Sequence, residues 1–216
     1  MKLLVYGMQS SGATAFTLFL AQRPDCLGLV DIPNSHAAPR VDPPMDMVAK
    51  AVVTTTFPLA VHIERFQPDK TILLLRDPRD NYQSLKTKPY GNLSGPIDEK
   101  FRLMDQIFAE RAQFDAVVEY EDFVARDPAV PARVSALGWP VEDSFHGFAR
   151  RHDAIIGDLW RHMPDLFQRM EIVFGNVQGR EVSERFRDKP RDAALDAHLE
   201  TLCPCLLAHY RARRGA

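Results

Sequence analysis

Cysteine is scarce in this chain, lysine is sparse, and charge of one sign is not in excess. Three cysteines among 216 residues, Cys26, Cys203 and Cys205, cannot build a disulfide framework, which excludes a small stapled secreted scaffold. Lys+Arg 27 against Asp+Glu 29 leaves a net charge of -2, which excludes a broadly basic nucleic-acid coat but not a local basic pocket. No apolar run approaches the roughly 18 residues that span a bilayer. The opening Met1-Lys2-Leu3-Leu4-Val5-Tyr6-Gly7 runs into a Gly/Ser turn and has no signal-peptide core with a cleavage site. Repeats, low-complexity tracts and Gly/Ser linkers are missing, and no His/Cys/Asp cluster has metal-ligand spacing. Cys203-Pro204-Cys205 reads as packing rather than a site. The expectation is one domain over 1–216, cytoplasmic, with no metal, no nucleic-acid partner and no membrane.

What is present alternates strand-like and helix-like segments. Lys2 to Tyr6 is an apolar run that stops at Gly7, as a strand buried on both faces would. Ala13 to Ala21 reads as a helix, Leu27 to Ile32 as a strand, and Pro33 to Asp46, with its four prolines, as a loop. Ala51 to Phe57 is β-branched and reads as a strand, Leu59 to Phe66 as a helix that carries His62 on one face, and Thr71 to Leu75 as the clearest strand. Residues 97–113 repeat apolar positions at helical spacing, Ala116 to Tyr120 is a fifth strand, Phe145 to Met170 is a long or broken helix, and Leu195 to Tyr210 is a closing helix. Strands separated by helices imply βαβ crossovers and a parallel sheet. The fold class is therefore α/β: a three-layer P-loop-type fold with a parallel sheet of about five strands flanked by helices and a helical C-terminal part.

In such a sheet, ligands sit at the carboxyl ends of the strands. The first strand ends in Gly7-Met8-Gln9-Ser10-Ser11-Gly12-Ala13-Thr14, whose Gly-x4-Gly-x-Thr spacing is that of a phosphate-binding loop. Gln9, Ser10, Ser11, Gly12, Ala13 and Thr14 are the candidate cradle, and Ser11 and Thr14 add hydroxyl donors. The usual P-loop lysine is Ala13 here. The bland reading is a tight strand-to-helix turn. The clearest strand ends in Arg76-Asp77-Pro78-Arg79-Asp80, with Ser84 eight residues after Arg76. Pro78 suits a first helical turn, and an Arg fork with a hydroxyl suits a phosphate monoester. A surface Arg–Asp cap is the alternative.

These motifs resemble the sulfotransferases that use 3′-phosphoadenosine 5′-phosphosulfate (PAPS). The family's first loop, P-K-S-G-T-T or G-x-x-R-S-G-T-T, is similar to Gly7–Thr14. Its R-[ND]-P-R-D motif with a Ser eight residues after the Arg resembles Arg76–Asp80 and Ser84. Its Y-E-D-L strand end is similar to Tyr120-Glu121-Asp122-Phe123 followed by Asp127-Pro128, and Leu137-Gly138 and the closing helix with Tyr210 are similar too. The resemblance implies that Ser11 to Thr14 hold the 5′-phosphosulfate and that Arg76 and Ser84 hold the 3′-phosphate. It also implies a basic C-terminal segment over the donor, in the region of Arg180, Arg185 and Lys189. There Glu181, Glu184 and Asp188 are interleaved. The donor would be PAPS, the product adenosine 3′,5′-bisphosphate, and the acceptor a small molecule bearing a hydroxyl or amine. The loop Pro33 to Asp46 and the stretch Lys86 to Pro96 would border the acceptor's pocket.

The chain departs from the family in two places. The family's loop cation falls at Ser10, and Ala13 replaces a Thr. The missing charge on the leaving group must then come from elsewhere, with Arg40, Arg79, Lys86 and Lys88 as candidates. The K-T-H of the cytosolic branch corresponds to Thr54-Thr55-Thr56, without a His. Other branches carry an acidic residue after the second strand. Arg23-Pro24-Asp25 followed by Leu29-Val30-Asp31 resembles that arrangement, which makes Asp31 the first candidate base and His36 the second. Two other readings stand beside this one: a P-loop kinase, against which the missing lysine counts, and a non-catalytic nucleotide-binding relative.

Overall fold

The computed structural model describes residues 1–33, 35–169 and 192–214. Five strands, β1 (Lys2–Gly7), β2 (Cys26–Leu29), β3 (Asp46–Val52), β4 (Lys70–Leu75) and β5 (Ala116–Glu119), form one sheet in the order β2-β3-β1-β4-β5. Every pairing is parallel. Around it lie helices α1 (Ala13–Leu20), α2 (Leu59–Phe66), α3 (Pro78–Lys86), α4 (Ile97–Ala109), α5 (Tyr120–Val124), α6 (Ala129–Ser135), α7 (His152–His162), α8 (Pro164–Arg169), α9 (Ala193–Leu202) and α10 (Pro204–Arg214). No helix among the described residues is long and apolar enough to cross a membrane.

Side-chain alternation along the strands builds the three layers. In β1, Leu4 and Tyr6 enter one core with Leu73 and Leu75 of β4, against Phe66, Phe101, Met104, Leu199, Leu206 and Tyr210. Leu3 and Val5 enter the other with Ile72 and Leu74, against Phe16, Phe19, Phe123, Val134 and Trp139. Both sets are apolar because helices cover both faces, so the strands read as continuous runs rather than alternating ones. Strand order reverses direction around β1, whose carboxyl end lies beside that of β4 with Gly7 opposite Leu74. A crevice at this switch point is where an open α/β sheet binds ligands.

Several boundaries differ from expectation, each for a local reason. The third strand spans Asp46–Val52, not Ala51–Phe57, because it pairs with β1 from Lys2↔Met47 to Gly7↔Val52 and β1 ends at Gly7. Beyond that end the Thr-rich stretch leaves the sheet. The Thr54 hydroxyl accepts from the Phe57 amide at 3.0 Å, and the Thr55 amide donates to the Ser94 carbonyl at 2.9 Å. The last helix is two helices, broken at Cys203 before Pro204, and the segment before it breaks at Met163 before Pro164. In both cases proline disfavours helical geometry at the preceding residue. Cys203 is buried in the core and Cys205 is exposed.

His62 lies on the buried face of α2 and fastens the Pro-rich loop: its Nδ1 accepts the Ala38 amide at 3.0 Å. Burial holds its pKa down at about 4. The folded chain therefore binds fewer protons than the unfolded one between about pH 6.5 and 4, and stability falls as pH drops through that window. Urea unfolding should lose about 2 kcal/mol between pH 7 and pH 5 from this group. His62→Gln, which keeps an acceptor for Ala38, should flatten that part of the profile. An unchanged slope in the variant would contradict the assignment.

Candidate functional site

The loop between β1 and α1 turns on two residues with positive φ, Ser10 at 60° and Gly12 at 93°. Alternating left-handed residues direct successive N–H groups to one side, which is the geometry of an anion-binding nest. The carbonyls of the loop are tied from outside. Arg76 Nη1 donates to the Ser10 carbonyl at 2.7 Å, and Asn81 Nδ2 donates to the Gln9 carbonyl at 2.7 Å. The Gln9 side chain is fixed too, its Oε1 accepting from Lys100 Nζ at 2.6 Å. Gly7 and Gly12 are required by close approach: a Cβ at Gly7 would lie 2.6 Å from the Leu74 carbonyl oxygen, and one at Gly12 2.3 Å from the Tyr120 ring.

Among the described residues, three polar atoms here are buried without a hydrogen-bond partner: Ser10 Oγ, Ser11 Oγ and Arg76 Nε. Buried polar groups are nearly always satisfied, so such a cluster on a phosphate-type loop fits a bound polyanion, and these residues fit the phosphates of a nucleotide donor. Arg76 follows β4 directly, and its guanidinium stacks 4.6 Å from the centre of the Tyr120 ring. Ser84 lies in the second turn of α3, half-buried, with its carbonyl accepting from Thr87 Oγ1 at 2.9 Å.

Behind these residues stands a buried ionic support. Asp77, fully buried, accepts Arg79 Nε at 2.9 Å and Nη2 at 2.8 Å. Its backbone N–H donates to Glu121 Oε1 at 3.0 Å, and Tyr210 Oη donates to Glu121 Oε2 at 3.2 Å. Burial raises the Glu121 pKa above the usual carboxylate range. The Tyr120-Glu121 motif thus braces the Arg76 segment through a ring stack and a carboxylate. It also settles one candidate cation. Arg79 is committed to Asp77, so it is a brace for the turn and not a free charge. Arg40, Lys86 and Lys88 are exposed. Arg180, Arg185 and Lys189 lie outside the described residues.

The cation that the sequence reading missed is Lys50. It interrupts the run Val48, Lys50, Val52 on the α1 side of β3, and its Nζ reaches Thr14 Oγ1 at 3.0 Å and Asp31 Oδ1 at 2.5 Å. A lone lysine inside an apolar strand was the available signal. Asp31, just past β2, is thereby brought to the first turn of α1. His36 sits in the turn after it, half-exposed, with Nδ1 at 2.9 Å from Ser35 Oγ. A third titratable group, His152 at the start of α7, lies within electrostatic reach of both Asp31 and Lys50, and burial lowers its pKa. The helix α7 packs on β2 and so delivers His152 to this side of the sheet, a long-range placement without a sequence signal.

Gly12→Ala would force a positive-φ residue against an aromatic ring. The expected cost is about 1–3 kcal/mol, which lowers the thermal midpoint by roughly 2–4 °C per kcal/mol for a domain of this size. An unshifted midpoint would show that the loop yields.

No family model matches the chain, and no curated protein matches it. Solved structures similar to it include mouse sulfotransferase SULT7A1 complexed with PAP, at 14% identity and TM-score 0.41 over 66% of this chain. The chain spans 60% of the length of that mouse protein. Retinol dehydratase in complex with androsterone and the inactive cofactor PAP is similar at 14% identity and TM-score 0.48, over 95% of this chain and 80% of that one. The same enzyme with retinol and PAP is similar at 12% identity and TM-score 0.48, over 95% of this chain and 81% of that one. At these identities and scores the likeness assigns no activity to this chain.

Proposed function

We propose that this protein binds PAPS across the carboxyl ends of β1 and β4 and passes its sulfuryl group to a hydroxyl or amine of a small acceptor. The observation that carries the reading is the cluster of buried, unpartnered donors at Ser10, Ser11 and Arg76 on a loop whose carbonyls are tied away. Backbone N–H groups of Gly12 to Thr14, with the hydroxyls of Ser11 and Thr14, hold the 5′ end; the Ser11 N–H itself closes the turn on the Met8 carbonyl at 3.2 Å. Arg76 and Ser84 hold the 3′-phosphate, the group that distinguishes PAPS from ATP. When bound, the donor supplies an electrophilic sulfur and a bisphosphate leaving group.

The chain's own residues then position and stabilise. Lys50 supplies the cation that Ser10 and Ala13 do not, delivered through Thr14 rather than from the loop. It also holds the Asp31 carboxylate in one place, at 2.5 Å, where Asp31 accepts the acceptor's proton. His36 is the second candidate for that role. No step in this scheme uses a metal.

Thermal unfolding with adenosine 3′,5′-bisphosphate, 5′-AMP and ATP–Mg²⁺ in parallel tests the binding claim. A ligand at 100 times its Kd adds about 2.7 kcal/mol, a rise of roughly 5–10 °C here. The bisphosphate alone should produce it, and Arg76→Ala should abolish it. An equal shift with 5′-AMP would remove the 3′-phosphate assignment, and a shift with ATP–Mg²⁺ alone would favour the kinase. For the chemistry, Asp31→Asn should keep the bisphosphate shift and lose turnover in an acceptor panel. Full turnover in that variant would transfer the base to His36 or another group.

A further inference from the structure

Lys100 is completely buried on α4, against the back of the β1–α1 loop. Neither the loop motif nor the arginine motif includes it. Its ammonium donates to Gln9 Oε1 at 2.6 Å, to the Gly91 carbonyl at 2.7 Å and to the Leu93 carbonyl at 3.2 Å. All three acceptors are neutral. The charged groups on the surrounding elements are engaged elsewhere. Asp98 binds Tyr82 and His198, Glu99 pairs with Arg102, Asp105 accepts the Leu206 amide, and His209 pairs with Glu119. Asp196 lies 3.9 Å from Arg79 Nη1, with its Oδ1 unpartnered among the described residues, and makes no ion pair with Lys100. Asp80 on α3 is itself partnered, Lys86 and Lys88 are exposed, and the loop from Gly7 to Thr14 carries no charge.

Among the described residues Lys100 has no carboxylate partner, and a desolvated ammonium in that state is costly to keep. Here it sits directly behind a cradle that lacks its own cation at both usual positions. Gln9 links the two: its amide oxygen must face the ammonium, so its NH₂ is directed away from Lys100. We propose that Lys100 is the buried counter-charge of the anion site, a positioning residue that acts through Gln9 to supply the positive potential that Ser10 and Ala13 do not. The inference rests on the reading of this loop as an anion cradle. The same ammonium clamps the Gly91–Leu93 turn to the loop through Gln9.

The consequence is proton linkage. Burial holds the Lys100 ammonium down at about 8. An anion in the cradle favours the charged form and raises that value, so binding takes up a proton near pH 8.5, and affinity falls as pH rises. Titration calorimetry with adenosine 3′,5′-bisphosphate at pH 8.5, in Tris and in Bicine, measures the uptake from the difference in apparent enthalpy. The ligand's phosphates are fully ionised at that pH and contribute nothing. The wild type should take up roughly half a proton or more, and its affinity should fall about tenfold between pH 7.5 and 9.5. Lys100→Met should bind without uptake and with a flat pH profile. Lys100→Arg, always charged, should also show no uptake but keep the wild type's low-pH affinity at pH 9.5, which a purely structural lysine does not predict. Tight binding by the wild type without proton uptake, or uptake that persists in either variant, would overturn the role of Lys100 and leave the anion site standing. No binding by the wild type at pH 7 would overturn the anion site itself, and this inference with it.

Discussion

A backbone cradle for an anion works only if its carbonyls are held out of the way, and in this protein that is done by side chains from other elements. Arg76 from the end of β4 and Asn81 from α3 each take one loop carbonyl, at 2.7 Å. The loop's conformation therefore depends on β4 lying beside β1, and β4 lies there because the two runs Leu3–Gly7 and Lys70–Leu74 pair in register. Both candidate anion-binding segments come from this one adjacency.

The brace behind Arg76 draws in the rest of the chain. Asp77 holds Arg79, Glu121 holds the Asp77 amide, and Tyr210 of α10 holds Glu121. Tyr120 fills the space that a side chain at Gly12 would occupy and offers its face to Arg76. Three stretches far apart in sequence thus support one guanidinium, which explains why the Tyr-Glu-Asp stretch is conspicuous although it is not itself the cradle.

Charge is distributed rather than concentrated in the loop. The loop is neutral, and two lysines buried on opposite sides of it supply positive potential. Lys50 comes from β3 on the α1 face with Asp31 as its partner, and Lys100 comes from α4 on the other, held by neutral oxygens among the described residues. The field at the cradle therefore depends on groups whose own ionisation is set by burial.

The sequence alone determined the parallel α/β architecture, the helix from Leu59 to Phe66, the core strands before Gly7 and Arg76, and the position of the loop and of Arg76 and Ser84. These are legible because periodicity, glycine and proline act locally. The third strand was misplaced because β-branching at Thr54–Thr56 imitates a strand, while pairing with β1 decides where the strand stops. The helix breaks at Met163 and Cys203 were written in Pro164 and Pro204 but were masked by continuous apolar spacing. Lys50 had only the weak signal of a lone lysine in an apolar strand, and Lys100 had none. A buried lysine and a solvated one are the same letter, and only the packing of β3 and α4 against the loop makes these two part of the candidate site. The same holds for Arg79, which spacing alone offers as a free cation. Tertiary structure commits it to Asp77 in a bidentate, desolvated ion pair through Nε and Nη2, with Nη1 turned toward Asp196.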